Sequence, residues 1–417
     1  MALPDPDDLP RRDYLRALVA AGGTASLAAC VDVLDESGDE RTVPRGDPDT
    51  RPARQHAWNE VLAEDDHGVP EPPEHHVLVG LNLVADRDAA ARDRVDAALE
   101  TLEQAYAYDP EGLLFTIGYA PSYFEAIGTE SPIPEPEALT GLEDPEFDGF
   151  DVLLQLASNS PDVVIEAEEA LLGNRETVNG MEMAATVDGV FERADRRTGF
   201  VGEGLPAQFA EEVGGVPEEM PEEAPFFMGF KSGFANSQAP EDRVTIRDGP
   251  FEGGTTTHVE TLDIQLRTWF EQDDHWLRVA QSFSPDHADE ELVGDIGEKL
   301  GATTDIESMA DQTRQDARER GVVGHAQKAA RARDPDGTPP LLRRDFNTVD
   351  RDVPGVHFLA HQRSIDEFVR VRQAMAGEDL DGGVGQRHNN GLMQYVFTVR
   401  RGNFLVPPRE RRALPEL

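Results

Sequence analysis

The sequence predicts an α+β body whose antiparallel sheet is built in two similar halves. Strand-like and helix-like runs alternate from His75 onward, and the pattern then recurs. No glycine-rich phosphate loop follows any of these strands, which argues against a doubly wound nucleotide-binding sheet. The 417 residues are 38% hydrophobic, in ordered periodic runs, so the acidic composition belongs to a folded chain rather than a disordered one.

That composition is extreme. There are 82 acidic residues against 38 basic ones, only three of them lysine (Lys231, Lys299, Lys328), for a formal charge of -44. Such a charge keeps a chain soluble but strains its compact state, a strain that concentrated salt relieves by shrinking the screening length to about 3 Å near 1 M. The balance resembles that of a haloarchaeal surface protein. It also argues against nucleic acid or an anionic membrane face as partner, since both carry the same sign of charge.

The N-terminal thirty residues read as an export address. Arg11-Arg12-Asp13-Tyr14-Leu15-Arg16 precedes a short apolar stretch, 17–29, broken by Gly22 and Gly23 and closed by Leu27-Ala28-Ala29-Cys30. Twin arginines before an aromatic and a leucine mark the twin-arginine route, which carries proteins already folded, often around a cofactor. Leu-Ala-Ala-Cys resembles a lipobox, so lipidation of Cys30 is expected to anchor the chain to the outer face of the cytoplasmic membrane. Cys30 is the only cysteine, and one thiol builds neither a disulfide nor a thiolate metal site. The other reading, a short buried helix, is the weaker one: thirteen mildly apolar residues are too few to span a bilayer and fit a signal h-region.

From 31 to 74 acidic and proline-rich runs leave little apolar spacing, as in a flexible tether. Strands are then expected at 76–83, 112–118, 150–156, 187–193, 255–265 and 356–361. Helices are expected at 89–105, with Val95, Ala98, Leu99 and Leu102 on one face, at 161–172 behind Ser160 as N-cap, around 312–333, and at 365–375. The acidic run 216–223 has no metal-ligand spacing and reads as a solvated insertion. Trp269, Trp276 and Tyr395 could carry electrons to the surface, but core packing explains each equally well.

Gly229-Phe230-Lys231-Ser232-Gly233-Phe234-Ala235-Asn236, with Gly199-Phe200 before it and Phe251-Glu252-Gly253-Gly254-Thr255-Thr256 after it, resembles the central block of the dye-decolorising (DyP-type) haem peroxidases. The similarity continues through Gly324-His325-Ala326-Gln327-Lys328, Leu341-Leu342-Arg343-Arg344-Asp345, the block 356–363 and the ending 402–407. It spans about 75–408. The resemblance implies two ferredoxin-like halves of the dimeric α+β barrel type, each an antiparallel sheet with outer helices, here 75–228 and 229–410. It also implies one haem b per chain, held in the C-terminal half.

Carried over by motif, His325 matches the proximal histidine that ligates the haem iron, and a carboxylate on its other ring nitrogen would push electron density toward the metal. By itself His325 reads as a surface histidine on a polar helix. Arg343 matches the distal arginine, whose paired donors hold peroxide and stabilise the charge that develops as the O–O bond breaks. Arg344 beside it is a decoy, and the weaker reading of Arg343 is an exposed arginine in a basic turn. Asn236 keeps a polar position of the haem pocket. Ser232 departs from the pattern: it stands where the family has an aspartate, and a serine hydroxyl is too weak an acid to act as a base near neutrality. A cation two residues after the ligand is also replaced, by Gln327, with Lys328 or Arg331 as substitutes for meeting a haem propionate. His361 follows an apolar strand and could face the pocket, but a satisfied core or surface position is the stronger reading.

The expectation is a haem-dependent peroxidase outside the cytoplasmic membrane, using hydrogen peroxide to oxidise an unidentified small-molecule reductant. It touches the membrane only through its lipid and leaves a homo-oligomer open. The rival is a surface lipoprotein that keeps the scaffold to bind haem or another ligand, its catalysis weakened at Ser232.

Overall fold

The computed structural model describes residues 43–210, 213–234, 236–301, 306–380 and 382–417. Its strands are β1 (His75–Leu83), β2 (Leu114–Tyr119), β3 (Glu146–Phe147), β4 (Val152–Ser158), β5 (Thr177–Val178), β6 (Met181–Glu182), β7 (Phe191–Phe200), β8 (Thr255–Ile264), β9 (Leu342–Arg343), β10 (Phe346–Thr348), β11 (Gly355–Gln362) and β12 (Val396–Val406). No helix among the described residues is long and apolar enough to cross a membrane.

Two β-α-β-β-α-β units are visible in the pairing. In the first, β7, β1, β4 and β2 lie side by side, all antiparallel, with helices Ala89–Ala105 and Pro161–Leu171 following β1 and β4. In the second, β12, β8 and β11 repeat that arrangement, and the short strands β9 and β10 pair with β11. The two units then close on each other: Leu405 of β12 faces Tyr119 of β2, and Asn347 of β10 faces Phe200 of β7. The sheet is therefore a barrel. Closure needs Gly199, because a Cβ there would stand 2.0 Å from the Asn347 carbonyl oxygen.

Side chains alternate across a strand, so one face of each fills the barrel and the other meets the helices. Leu78, Phe150, Leu153, Val259, Leu359 and Phe404 fill the interior, with the Phe150 and Phe404 rings stacked 5.6 Å apart. Around the first unit, Val95, Ala98, Leu99 and Leu102 of helix Ala89–Ala105 bury against the sheet as their helical spacing predicts. Helix Ile365–Ala376 covers the outer face of the second unit.

Several expectations need correction. The segment from Val43 onward is no tether: Trp58 is fully buried with Leu62, Leu114 and Ala157, and the Gln55 amide donates to the Ile117 and Pro407 carbonyls. Residues 1–42, including the twin arginines, Cys30 and 31–42 of the expected tether, lie outside the described residues. The strand expected at 187–193 begins at Phe191 and runs to Phe200. The single helix around 312–333 is two, Ile306–Glu319 and His325–Ala330. Ser160 sits at its N-cap without a side-chain hydrogen bond. Met220, within the acidic run 216–223, is buried in an aromatic cluster with Phe209 and Phe227. β12 escaped the sequence reading because Arg401 interrupts it; this arginine is fully buried and ion-paired with Glu143 (2.9 Å) and Glu260 (2.5 Å).

Candidate functional site

Between the outer face of the second unit's sheet and its covering helices lies a cavity of about 290 Å³. Its floor is set by strand alternation: Glu260, Leu262 and Ile264 of β8, Val356 and Phe358 of β11, and Val396 and Thr398 of β12. Helix Ile365–Ala376 lays Phe368, Val371, Arg372 and Met375 against it, the spacing of one helix face. Helix His325–Ala330 contributes His325, Ala326, Ala329 and Ala330, and the segment around Phe230 and Phe234 closes the remaining side. Most of the wall is apolar, as ligand cavities are.

His325 is placed by its neighbours in sequence. Gly324 at the helix N-cap lets the backbone pass where a Cβ would come within 1.8 Å of the Phe283 carbonyl oxygen. Gln327 locks the turn: its side-chain oxygen accepts from the Gly324 N–H at 3.1 Å, its side-chain amide donates to Met309 O and Asp316, and its own N–H donates to Phe283 O. The residue that replaces the expected cation thus holds the helix start. His325 lines the cavity and is half-buried. Burial, assisted by the charges of Lys328, Arg343 and Arg372, pushes its pKa down to about 3, which keeps the imidazole neutral and its lone pair available at neutral pH. Among the described residues no side chain hydrogen-bonds the ring. Its charged surroundings are cationic, and the expected carboxylate partner is not among them.

On another part of the wall, Arg343 and Ser232 meet directly. Arg343 Nη1 donates to Ser232 Oγ at 3.0 Å, and Nη2 donates to the Ser232 carbonyl at 2.9 Å. The Arg343 backbone N–H is held by Gln238 Oε1 at 2.8 Å. Asp345, which also lines the cavity, accepts from Ser232 Oγ at 2.7 Å. Sequence reading passed over Asp345. The signal for it was there: on an extended run, residues 343 and 345 share a face.

The other expected positions divide. Asn236 does not reach the cavity; it is exposed in a left-handed conformation (φ 60°), and its carbonyl accepts from Arg333 at 2.7 Å. Lys328 is buried away from the cavity, its ammonium donating to Met375 O (2.5 Å), Asn390 O (3.0 Å) and Asn390 Oδ1 (2.6 Å), and Arg331 pairs with Asp379 at 2.5 Å. Arg333 and Arg372 line the cavity instead. His361 is buried beside Thr257, with Nδ1 2.8 Å from its hydroxyl, outside the cavity lining. Trp269 and Tyr395 pack edge to face, and Trp276 is partly exposed.

A family model described as "Family of unknown function (DUF7405)" matches residues 73–408. No curated protein matches the sequence. Solved structures of similar fold include the dye-decolorizing protein from V. cholerae, with a TM-score of 0.54 at 15% identity over 86% of this chain and 99% of that one. A DyP-type peroxidase from Cellulomonas bogoriensis gives 0.54 at 20% identity over 84% and 96%. A haem complex of a Rhodococcus jostii DypB variant gives 0.53 at 13% identity over 82% and 96%. The likeness extends over the barrel as a whole and shows that this chain has the DyP-type fold.

Proposed function

We propose that this chain, a member of the DUF7405 family with the DyP-type fold, is a haem peroxidase, reducing hydrogen peroxide at the expense of a small organic donor. The observation that carries this is one largely apolar cavity lined both by a neutral imidazole, His325, and by an arginine aimed by two hydrogen bonds, Arg343. The donor set fits haem b, one per chain. His325 offers a single ligating nitrogen, the apolar wall suits the macrocycle, and Arg333, which lines the cavity, would meet one of its carboxylates. Haem, when bound there, would supply the iron and the redox chemistry of peroxide reduction and donor oxidation. The chain's own residues orient and protect that reaction. Arg343 holds the peroxide oxygens and stabilises the charge of O–O cleavage, and the phenylalanines around it exclude bulk water.

The cellular setting follows from residues 1–30. Twin-arginine export after haem loading, lipidation at Cys30 and residence on the outer face of the membrane in concentrated salt agree with the charge of -44. Replacing Cys30 by Ala should release the body from the membrane fraction, and an unprocessed, soluble wild-type chain contradicts the anchor. A second reading, haem binding without turnover, rests on Ser232 in place of a proton-transferring carboxylate. Absorption spectra and peroxide-dependent dye bleaching of protein folded with haem in high salt test both. A Soret band with bleaching supports the peroxidase, a Soret band without bleaching supports the binder, and no Soret band overturns both.

A further inference from the structure

Side chains alternate along the extended run 342–346. Arg343 and Asp345 share the cavity face, while Arg344 turns away to Asn59 and the Trp58 ring. Ser232 bridges the first two, accepting from Arg343 and donating to Asp345 Oδ2. Among the described residues this is the one side-chain hydrogen bond that the Asp345 carboxylate receives. The cavity thus contains a carboxylate, an arginine and a hydroxyl in one hydrogen-bonded group, although the position expected to carry the carboxylate is a serine.

We propose that Asp345 is the proton acceptor and donor for peroxide in this site, taking the part that Ser232 cannot. The proposal rests on the peroxidase reading and names the residue that reading lacks. Asp345 takes one proton from hydrogen peroxide and returns it to the oxygen that leaves as water, so its own proton count closes at zero. The O–O bonding pair departs with that oxygen, and the two electrons consumed come from the haem and, over a full cycle, from the reducing substrate. Ser232 is a positioning residue: its hydroxyl fixes the rotamer of Asp345 against Arg343. A carboxylate outperforms the hydroxyl because its proton affinity lies much nearer the operating pH.

The test uses the full haem-loaded chain and three readouts: Soret absorbance per chain, the stopped-flow rate with hydrogen peroxide, and the dissociation constant for cyanide. Cyanide enters as HCN and must also surrender a proton, so its affinity reports the acceptor without any turnover. Asp345→Asn should load haem normally, lose about 10²- to 10⁴-fold in the peroxide rate, and bind cyanide more weakly. Ser232→Asp combined with Asp345→Asn, which moves the carboxylate to the other side of the same pair, should recover most of that rate. An Asp345→Asn protein with full haem and wild-type peroxide and cyanide behaviour overturns the assignment while leaving the haem reading intact. If Asp345→Asn fails to load haem, the double variant decides: reactive supports the assignment, and haem-loaded but unreactive overturns it. A wild-type chain that takes up no haem removes the peroxidase reading and this inference together.

Discussion

The Arg344 guanidinium lies 5.7 Å from the centre of the Trp58 ring and donates to Asn59 Oδ1 at 2.6 Å, tying the segment before β1 to the strand that carries Arg343. The tie has a functional consequence. With Arg344 held on the far face, strand alternation leaves Arg343 and Asp345 to the cavity. Lys231, next to Ser232, is bound in the same way by Asp65 at 2.8 Å.

Trp58→Ala should therefore cost more than a tether position would allow. Removing a fully buried indole typically destabilises a core by about 3–5 kcal/mol, and denaturant melts in high salt would measure it. A loss near zero would mean that the segment does not bear on the body. Haem affinity should fall with stability, since the Arg343 strand loses its backing.

Arg343→Leu should suppress peroxide turnover by about 10²- to 10³-fold, the usual loss when one preorganised donor to a developing charge is removed. Haem should stay, because His325 is untouched. Parallel Soret and dye-bleaching measurements check this, and a variant that bleaches at the wild-type rate would remove Arg343 from the site.

Ser232→Asp, made alone, should give little. The new carboxyl would stand within hydrogen-bond reach of Asp345, and two carboxylates so close share a proton rather than both ionising. The expected change in peroxide rate is below tenfold, against a large recovery when Asp345 is Asn. A large gain from Ser232→Asp in the wild-type background would show that the native site lacks an acid.

Acid should loosen the fold through its buried histidines. Burial holds His56, His76 and His325 in the neutral form with pKa values near 3, below the ordinary 6.5. The unfolded chain binds those protons first, so the stability these groups contribute is complete above about pH 6.5 and declines as the pH falls toward 3. Melting temperatures of the haem-free chain across that range check the sign. A His76→Phe variant, which removes one titrating group while keeping a ring against Phe346, should show a shallower decline.

Much of the fold was legible because its strands carry continuous apolar runs and its helices regular spacing, as at Val77–Leu81 and Val95–Leu102. What escaped was hidden by polarity. Arg401 disguises β12 because its charge is cancelled by Glu143 and Glu260, residues far away in the sequence. Trp58 and Leu62 are too few and too irregular, among prolines and acids, to announce a packed segment. In the cavity, motif resemblance names His325 and Arg343, and both line its wall. The resemblance gives Asp345 no role, and its partnership with Ser232 spans 113 residues.

The most direct test of the account is a haem titration of His325→Ala followed at the Soret band, beside His361→Ala and His388→Ala. Neither control histidine lines the cavity: His361 is held by Thr257, and His388 is exposed beside Gln394. Because axial coordination concentrates iron binding in one nitrogen, the account predicts that His325→Ala alone loses the Soret band of retained haem. Equal haem retention by His325→Ala and wild type would contradict it.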